Sequence, residues 1–91
     1  NITREDMAVL IHRFSGKLGY DLPGLKEENL FKDNSDIAKY ASDSVKTVQK
    51  AGIIEGKPNG IFAPKDNATR EEAAKVLTVL IKLIVGDRHD S

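Results

Sequence analysis

The sequence predicts an all-α fold of three main helices: one complete helix-loop-helix repeat preceded by the closing helix of another. Two observations carry that prediction. Apolar residues recur at three- and four-residue spacing in three separate stretches, each opening on a capping residue and closing near a glycine. The segment Asn1-Ile2-Thr3-Arg4-Glu5-Asp6-Met7-Ala8 also returns as Asn67-Ala68-Thr69-Arg70-Glu71-Glu72-Ala73-Ala74, an offset of 66 residues, with five of eight positions identical.

The first helix is expected from about Thr3 to Leu18, with Met7, Leu10, Ile11, Phe14 and Leu18 turned inward and Gly19 ending it. A loop follows from about Tyr20 to Asn34, its Pro23 and Gly24 supplying turn chemistry and Leu22, Leu25, Leu30 and Phe31 serving as apolar pegs. The second helix is expected from Ser35 or Asp36 to Ala51, with Ile37, Tyr40, Ala41, Val45 and Val48 inward and Gly52 as its stop. From Ile53 to Lys65 the sequence predicts a compact loop, in which Asn59-Gly60 can make a minimal hairpin. The third helix is expected from Thr69 to Ile84 or Val85, burying Ala73, Val76, Leu77, Leu80, Ile81 and Ile84, and Gly86 closes it. In domain terms, 1–19 is the closing helix of a preceding repeat, 20–30 a linker loop, 31–86 a complete repeat and 87–91 a frayed tail. A chain that opens directly on a helix cap reads as a piece of something longer.

Composition excludes several function classes. Fourteen Lys plus Arg balance fourteen Asp plus Glu, so the basic surplus that nucleic-acid binding needs is missing. There is no cysteine for a disulfide, a thiolate nucleophile or a thiolate metal site. The longest apolar stretch, Val76 to Val85, is interrupted by Thr78 and Lys82 and is far shorter than the roughly 20 residues of a bilayer span. His12 and His89 lack metal-ligand spacing, and no metal or cofactor is expected. Asp33-Asn34-Ser35-Asp36 lacks the glycine and distal Glu of a calcium loop and reads as helix capping. The acceptor patterns Asn1-Ile2-Thr3 and Asn67-Ala68-Thr69 read as coincidence, because both Thr residues are needed as caps. No nucleophile sits in a Gly-x-Ser-x-Gly turn, so an enzyme is not expected.

Capping explains only part of the repeated motif. Thr3 and Thr69 suit N-caps, and Asp6 and Glu72 three residues later complete capping boxes. A cation in the first turn opposes the helix dipole, so Arg4 and Arg70 call for another reason: anion binding or a surface salt bridge.

The chain resembles the S-layer homology domains of bacterial cell-surface proteins. Five elements in family order carry the resemblance: Phe31-Lys32-Asp33, Tyr40-Ala41, Gly52-Ile53-Ile54-Glu55-Gly56, Gly60-Ile61-Phe62-Ala63-Pro64 and Thr69-Arg70-Glu71-Glu72. The resemblance implies an extracellular module that packs with neighbouring repeats and anchors its parent protein to an acidic cell-wall polysaccharide; an apolar helix face left without its neighbour predicts association with copies of itself or exchange of the first helix. It assigns ligand contact to Arg4 and Arg70, a sugar border to Asp33 and Tyr40, and close backbone approach to Gly56 and Gly60. The chain departs from the family in having Tyr40 where Trp is common and an extra carboxylate beside each Arg. Tyr40 is then either a stacking platform or a core residue, and Asp33 either a sugar contact or a residue that caps the second helix or turns its loop.

Overall fold

The computed structural model describes residues 2–27 and 30–88. It contains helices α1 (Arg4–Lys17), α2 (Lys39–Lys50) and α3 (Arg70–Arg88) and a 3₁₀ turn at Asn34–Asp36. Among the described residues the only sheet-like pairing is an isolated antiparallel bridge between Thr3 and Asn67. The fold is all-α, as the periodicity predicts.

Helices α1 and α2 end in the same way. Gly19 and Gly52 take φ of +70° and +76°, a left-handed conformation that costs a residue with a Cβ far more than glycine. Behind α1, Gly19 N–H bonds Gly16 C=O at 3.0 Å and Tyr20 N–H bonds Ser15 C=O at 2.9 Å. Behind α2, Gly52 N–H bonds Gln49 C=O at 3.0 Å and Ile53 N–H bonds Val48 C=O at 3.1 Å. Both are Schellman caps, and the second delivers Ile53 straight into the core.

Other boundaries moved. α2 starts at Lys39, not Ser35 or Asp36, because Ile37 is extended so that its side chain reaches the core. The backbone N–H of the N-cap residue Ala38 donates to Glu5 Oε1 at 3.0 Å, so a carboxylate from α1 serves the positive end of α2. α3 continues to Arg88, past the stop expected at Gly86, which has no left-handed φ. The 89–91 part of the expected tail and His89 lie outside the described residues. The 53–64 segment closes a tight turn through Lys57 N–H to Ile61 C=O at 2.7 Å and Gly60 N–H to Lys57 C=O at 3.1 Å, without developing strands.

The core joins Met7, Ala8 and Ile11 of α1, Ala41, Val45 and Val48 of α2, Ile53, Ile54 and Phe62 of the loop, and Val76 and Leu80 of α3. Phe31 stacks at a tilt on Phe62, ring centroids 5.3 Å apart. Phe31 and half-buried Leu22 act as the expected pegs, whereas Leu25 and Leu30 are exposed. The connection is fastened instead by polar contacts to the end of α2: Lys26 N–H to Lys50 C=O at 2.8 Å and Gln49 Nε2 to Glu27 C=O at 3.2 Å. Six residues expected inward are exposed: Leu10, Phe14 and Leu18 on α1, Tyr40 on α2, and Leu77 and Ile81 on α3. Apolar residues lie on two faces of α1 and of α3, and only one face of each meets the core.

Candidate functional site

The two copies of the Thr-Arg-Glu motif lie side by side. Ala68 N–H donates to Ile2 C=O at 2.8 Å, Arg4 N–H to Asp66 C=O at 2.9 Å and Glu5 N–H to Pro64 C=O at 3.1 Å. Thr3 Oγ1 accepts from Asp6 N–H at 3.2 Å. The free N–H groups at the start of α1 are thus consumed by the 64–66 backbone and by Thr3, leaving that helix end no anion-binding capacity. In the second copy Thr69 and Glu72 form the full reciprocal box: Glu72 N–H to Thr69 Oγ1 at 3.0 Å and Thr69 N–H to Glu72 Oε1 at 2.9 Å.

Arg4 leaves this start and runs into the molecule, where it is 2% exposed. Its Nε donates to Phe62 C=O at 2.8 Å, its Nη2 to Glu55 C=O at 2.7 Å, and its Nη1 pairs with Glu72 Oε2. The guanidinium carbon stands 4.9 Å from the centre of the Phe62 ring. One side chain therefore ties the α1 start to the Gly-Ile-Ile-Glu-Gly turn, to the Phe62 loop and to α3. Burial pushes the Arg4 pKa below its ordinary value, an effect the charges of Asp66 and Asp33 oppose.

Glu5, the extra carboxylate beside Arg4, to which the sequence assigned no role of its own, is equally buried. Besides Ala38 N–H it accepts from Lys65 Nζ at 2.6 Å and, more distantly, from Tyr40 Oη at 3.4 Å. A signal for it was available: Glu recurs at the third motif position in both copies, where neither capping nor the dipole alone requires that residue. Tyr40 donates a 2.6 Å hydrogen bond to Asp6 Oδ1 while its ring stays exposed. That bond to Asp6, then desolvation and the charges of Glu5 and Asp6, push the Tyr40 pKa up to about 12. The folded state holds this proton more tightly than the unfolded chain, so the contribution is complete below the ordinary tyrosine range near 10 and is lost as pH rises through about 12. Subtracting the tyrosinate absorbance titration of Tyr40→Phe from that of the unaltered chain should give a step near 12. A step near 10 would mean that the Asp6 bond is not formed in solution.

Asp33 neither caps α2 nor faces solvent freely. Its two carboxylate oxygens accept from Phe62 N–H at 2.8 Å and Ala63 N–H at 2.9 Å, turning the loop that carries Arg4's acceptor. Gly56 sits where an added Cβ would lie 2.4 Å from Phe31 Cε1, so close packing against that ring excludes a side chain there. Gly60, at φ +82°, allows the turn beside Lys32. Arg70 is exposed at the first turn of α3.

Arg4 and Gly56 meet in one cleft of about 190 Å³, between the 53–58 turn and the first turns of α3, lined also by Glu72 and Val76, with Lys57 and Lys75 contributing cationic side chains. Asp33 supports it from behind through Phe62, while Tyr40, Arg70 and Gly60 are not among its lining residues. Among the described residues no group of His, Asp and Glu could hold a metal ion, and no helix is long and apolar enough to cross a membrane.

Two interlocked motif copies around a shared helical core define a helical repeat module. The S-layer homology domain family matches residues 30–74, and this segment of the chain belongs to that family. Relatives include an endoglucanase of Bacillus sp. (strain KSM-635), 38% identical over 81 residues, covering 89% of this chain and 9% of the relative. An amylopullulanase of Thermoanaerobacterium thermosulfurigenes is 40% identical over 87 residues, covering 90% of this chain and 4% of the relative. A surface-layer 125 kDa protein of Lysinibacillus sphaericus is 37% identical over 51 residues, covering 56% of this chain and 4% of the relative. The chain thus spans under a tenth of each of these relatives. No solved structure matches. The family is an anchoring module of surface proteins, placed at the extracellular cell surface.

Proposed function

We propose that this chain is a non-catalytic wall anchor that binds an acidic, pyruvylated cell-wall polysaccharide non-covalently and tethers its parent protein. The observation that carries the reading is the cleft over Arg4: a concave site with a buried guanidinium at its floor, Lys57 and Lys75 beside it and the Gly56 backbone forming one wall. Three of Arg4's five N–H donors are engaged, one on each nitrogen, and a ligand carboxylate binds by competing with Glu72 Oε2 for Nη1 while the two lysines attract it. The exposed Arg70 guanidinium and Tyr40 ring offer outlying contacts along a polymer, and Asp33 and Gly60 act by shaping the loop. Calorimetric titration with purified wall polymer, before and after removal of its pyruvate, tests this. Binding should fall at least about tenfold on removal, and similarly in Lys57→Ala/Lys75→Ala, each tenfold corresponding to about 1.4 kcal/mol. Binding indifferent to pyruvate rejects the carboxylate mechanism.

A second reading, self-assembly through copies of the chain, is favoured by the exposed apolar residues Leu10, Phe14, Leu77 and Ile81.

A further inference from the structure

The two carboxylate oxygens of Glu72 serve different partners at the Arg4 cleft. Oε1 accepts Thr69 N–H at 2.9 Å while Glu72 N–H donates to Thr69 Oγ1 at 3.0 Å, so the side chain is pinned to the first turn of α3. Oε2 pairs with Arg4 Nη1. Access to the pair is unequal: the Glu72 side chain is 25% exposed and that of Arg4 3%. The acceptors on Arg4 Nε and Nη2 are uncharged carbonyls, of Phe62 and Glu55. Glu72 is therefore the solvent-facing, charged partner of a buried cation, and it stands where a ligand carboxylate would bind. Lys75, three residues further along α3 and so a neighbour of Glu72 on the helix surface, lines the same cleft.

We propose that Glu72 is a built-in competitor for the ligand site: a tethered carboxylate that occupies Arg4 in the unbound chain, limits the affinity for acidic polymer, and turns Oε2 to Lys75 when a ligand carboxylate takes Nη1. The proposal rests on the wall-anchor reading and adds the control of that site. Exchanging one carboxylate for another keeps the buried guanidinium paired, whereas a neutral sugar in the same place would leave it unpaired. Release of Glu72 needs little movement, because Oε1 keeps its hold on Thr69 N–H and the helix start stays capped. Attachment gives the competitor an effective concentration on the order of millimolar, so it returns whenever the polymer leaves. Glutamine also completes a capping box, so Glu72→Gln removes the competing charge and preserves the start of α3.

Calorimetric titration of the unaltered chain, Glu72→Gln and Glu71→Gln with purified wall polymer, before and after removal of its pyruvate, tests this. Glu72→Gln should bind the intact polymer at least about tenfold more tightly than the unaltered chain, and the gap between intact and depyruvylated polymer should widen. Glu71→Gln removes the same charge from an exposed neighbour and should change the Kd by less than about threefold, because salt screens an exposed charge. In the unaltered chain, the carbon-13 resonance of the Glu72 carboxyl should shift on saturation with intact polymer while the Thr69 amide stays protected from exchange. If Glu72→Gln fails to fold, that resonance decides the matter alone. Affinity unchanged or weakened in a folded Glu72→Gln, equal tightening in Glu71→Gln, or a Glu72 resonance unmoved at saturation overturns the competitor and leaves the wall anchor standing. Binding indifferent to pyruvate in both the unaltered chain and Glu72→Gln overturns the anchor reading and the competitor with it.

Discussion

Replacing Arg4 with alanine should cost about 3–5 kcal/mol of folding stability, the range for breaking a buried ion pair by deleting one partner. The deletion leaves the buried carbonyl of Phe62 and the part-buried carbonyl of Glu55 without their donor and Glu72 without its cation. At roughly 0.05–0.15 kcal/mol per residue, a chain of 91 residues has on the order of 5–14 kcal/mol in total, so the variant is marginal. Its thermal midpoint should fall by at least about 12 °C, at about 4–8 °C per kcal/mol for a domain this size. Arg4→Lys should recover less than half of the loss, because one ammonium cannot span three acceptors set by a planar fork. A double-mutant cycle with Glu72→Gln should return a coupling above about 1 kcal/mol, whereas an exposed ion pair gives less. Denaturant unfolding measures all of these. A loss under about 1 kcal/mol for Arg4→Ala would show that its guanidinium is not clamped in solution.

What was legible in the sequence was local. Thr3 and Thr69 cap their helices, Gly19 and Gly52 end theirs, and three apolar periodicities yield three helices, because each signal depends on residues within a few positions of one another. Which face of a helix is buried depends on what lies beside it. α1 carries apolar residues on two faces, and nothing local selects the Met7-Ala8-Ile11 face over Leu10, Phe14 and Leu18. Tyr40 sits at inward spacing, but its hydroxyl is drawn to Asp6 across the helix pair and its ring stays outside. The acceptors of Arg4 lie 58 and 51 residues away, beyond any periodicity. The repeated Arg called for a reason and the repeated Glu was passed over; in the first copy the fold supplies a reason for both, since Arg4 and Glu5 tie the start of α1 to α2, the 53–66 loop and α3.

Asp33→Ala should be nearly as damaging, at about 2–4 kcal/mol, for a reason that also starts in the backbone. Hydrogen bonds to charged groups contribute about 1.5–3 kcal/mol each, and this carboxylate takes two, from Phe62 N–H and Ala63 N–H. Ala63 is held at φ +56°, a left-handed conformation that costs a non-glycine residue about 1–2 kcal/mol. Removing Asp33 thus frees a strained segment as well as two amides. Phe62 is the pivot, since its N–H is held by Asp33, its C=O by Arg4 and its ring by Phe31. The losses from Asp33→Ala and Arg4→Ala should therefore combine to less than their sum, because either one releases the same loop. Asp33→Asn, with one acceptor oxygen left, should lose about half as much as alanine. Ala63→Gly should restore up to about 1 kcal/mol in the Asp33→Ala background by relieving the left-handed strain. Urea midpoints across this set provide the check: full additivity with Arg4→Ala would mean that the two side chains hold separate parts of the fold, and the single clamp around Phe62 would have to be abandoned.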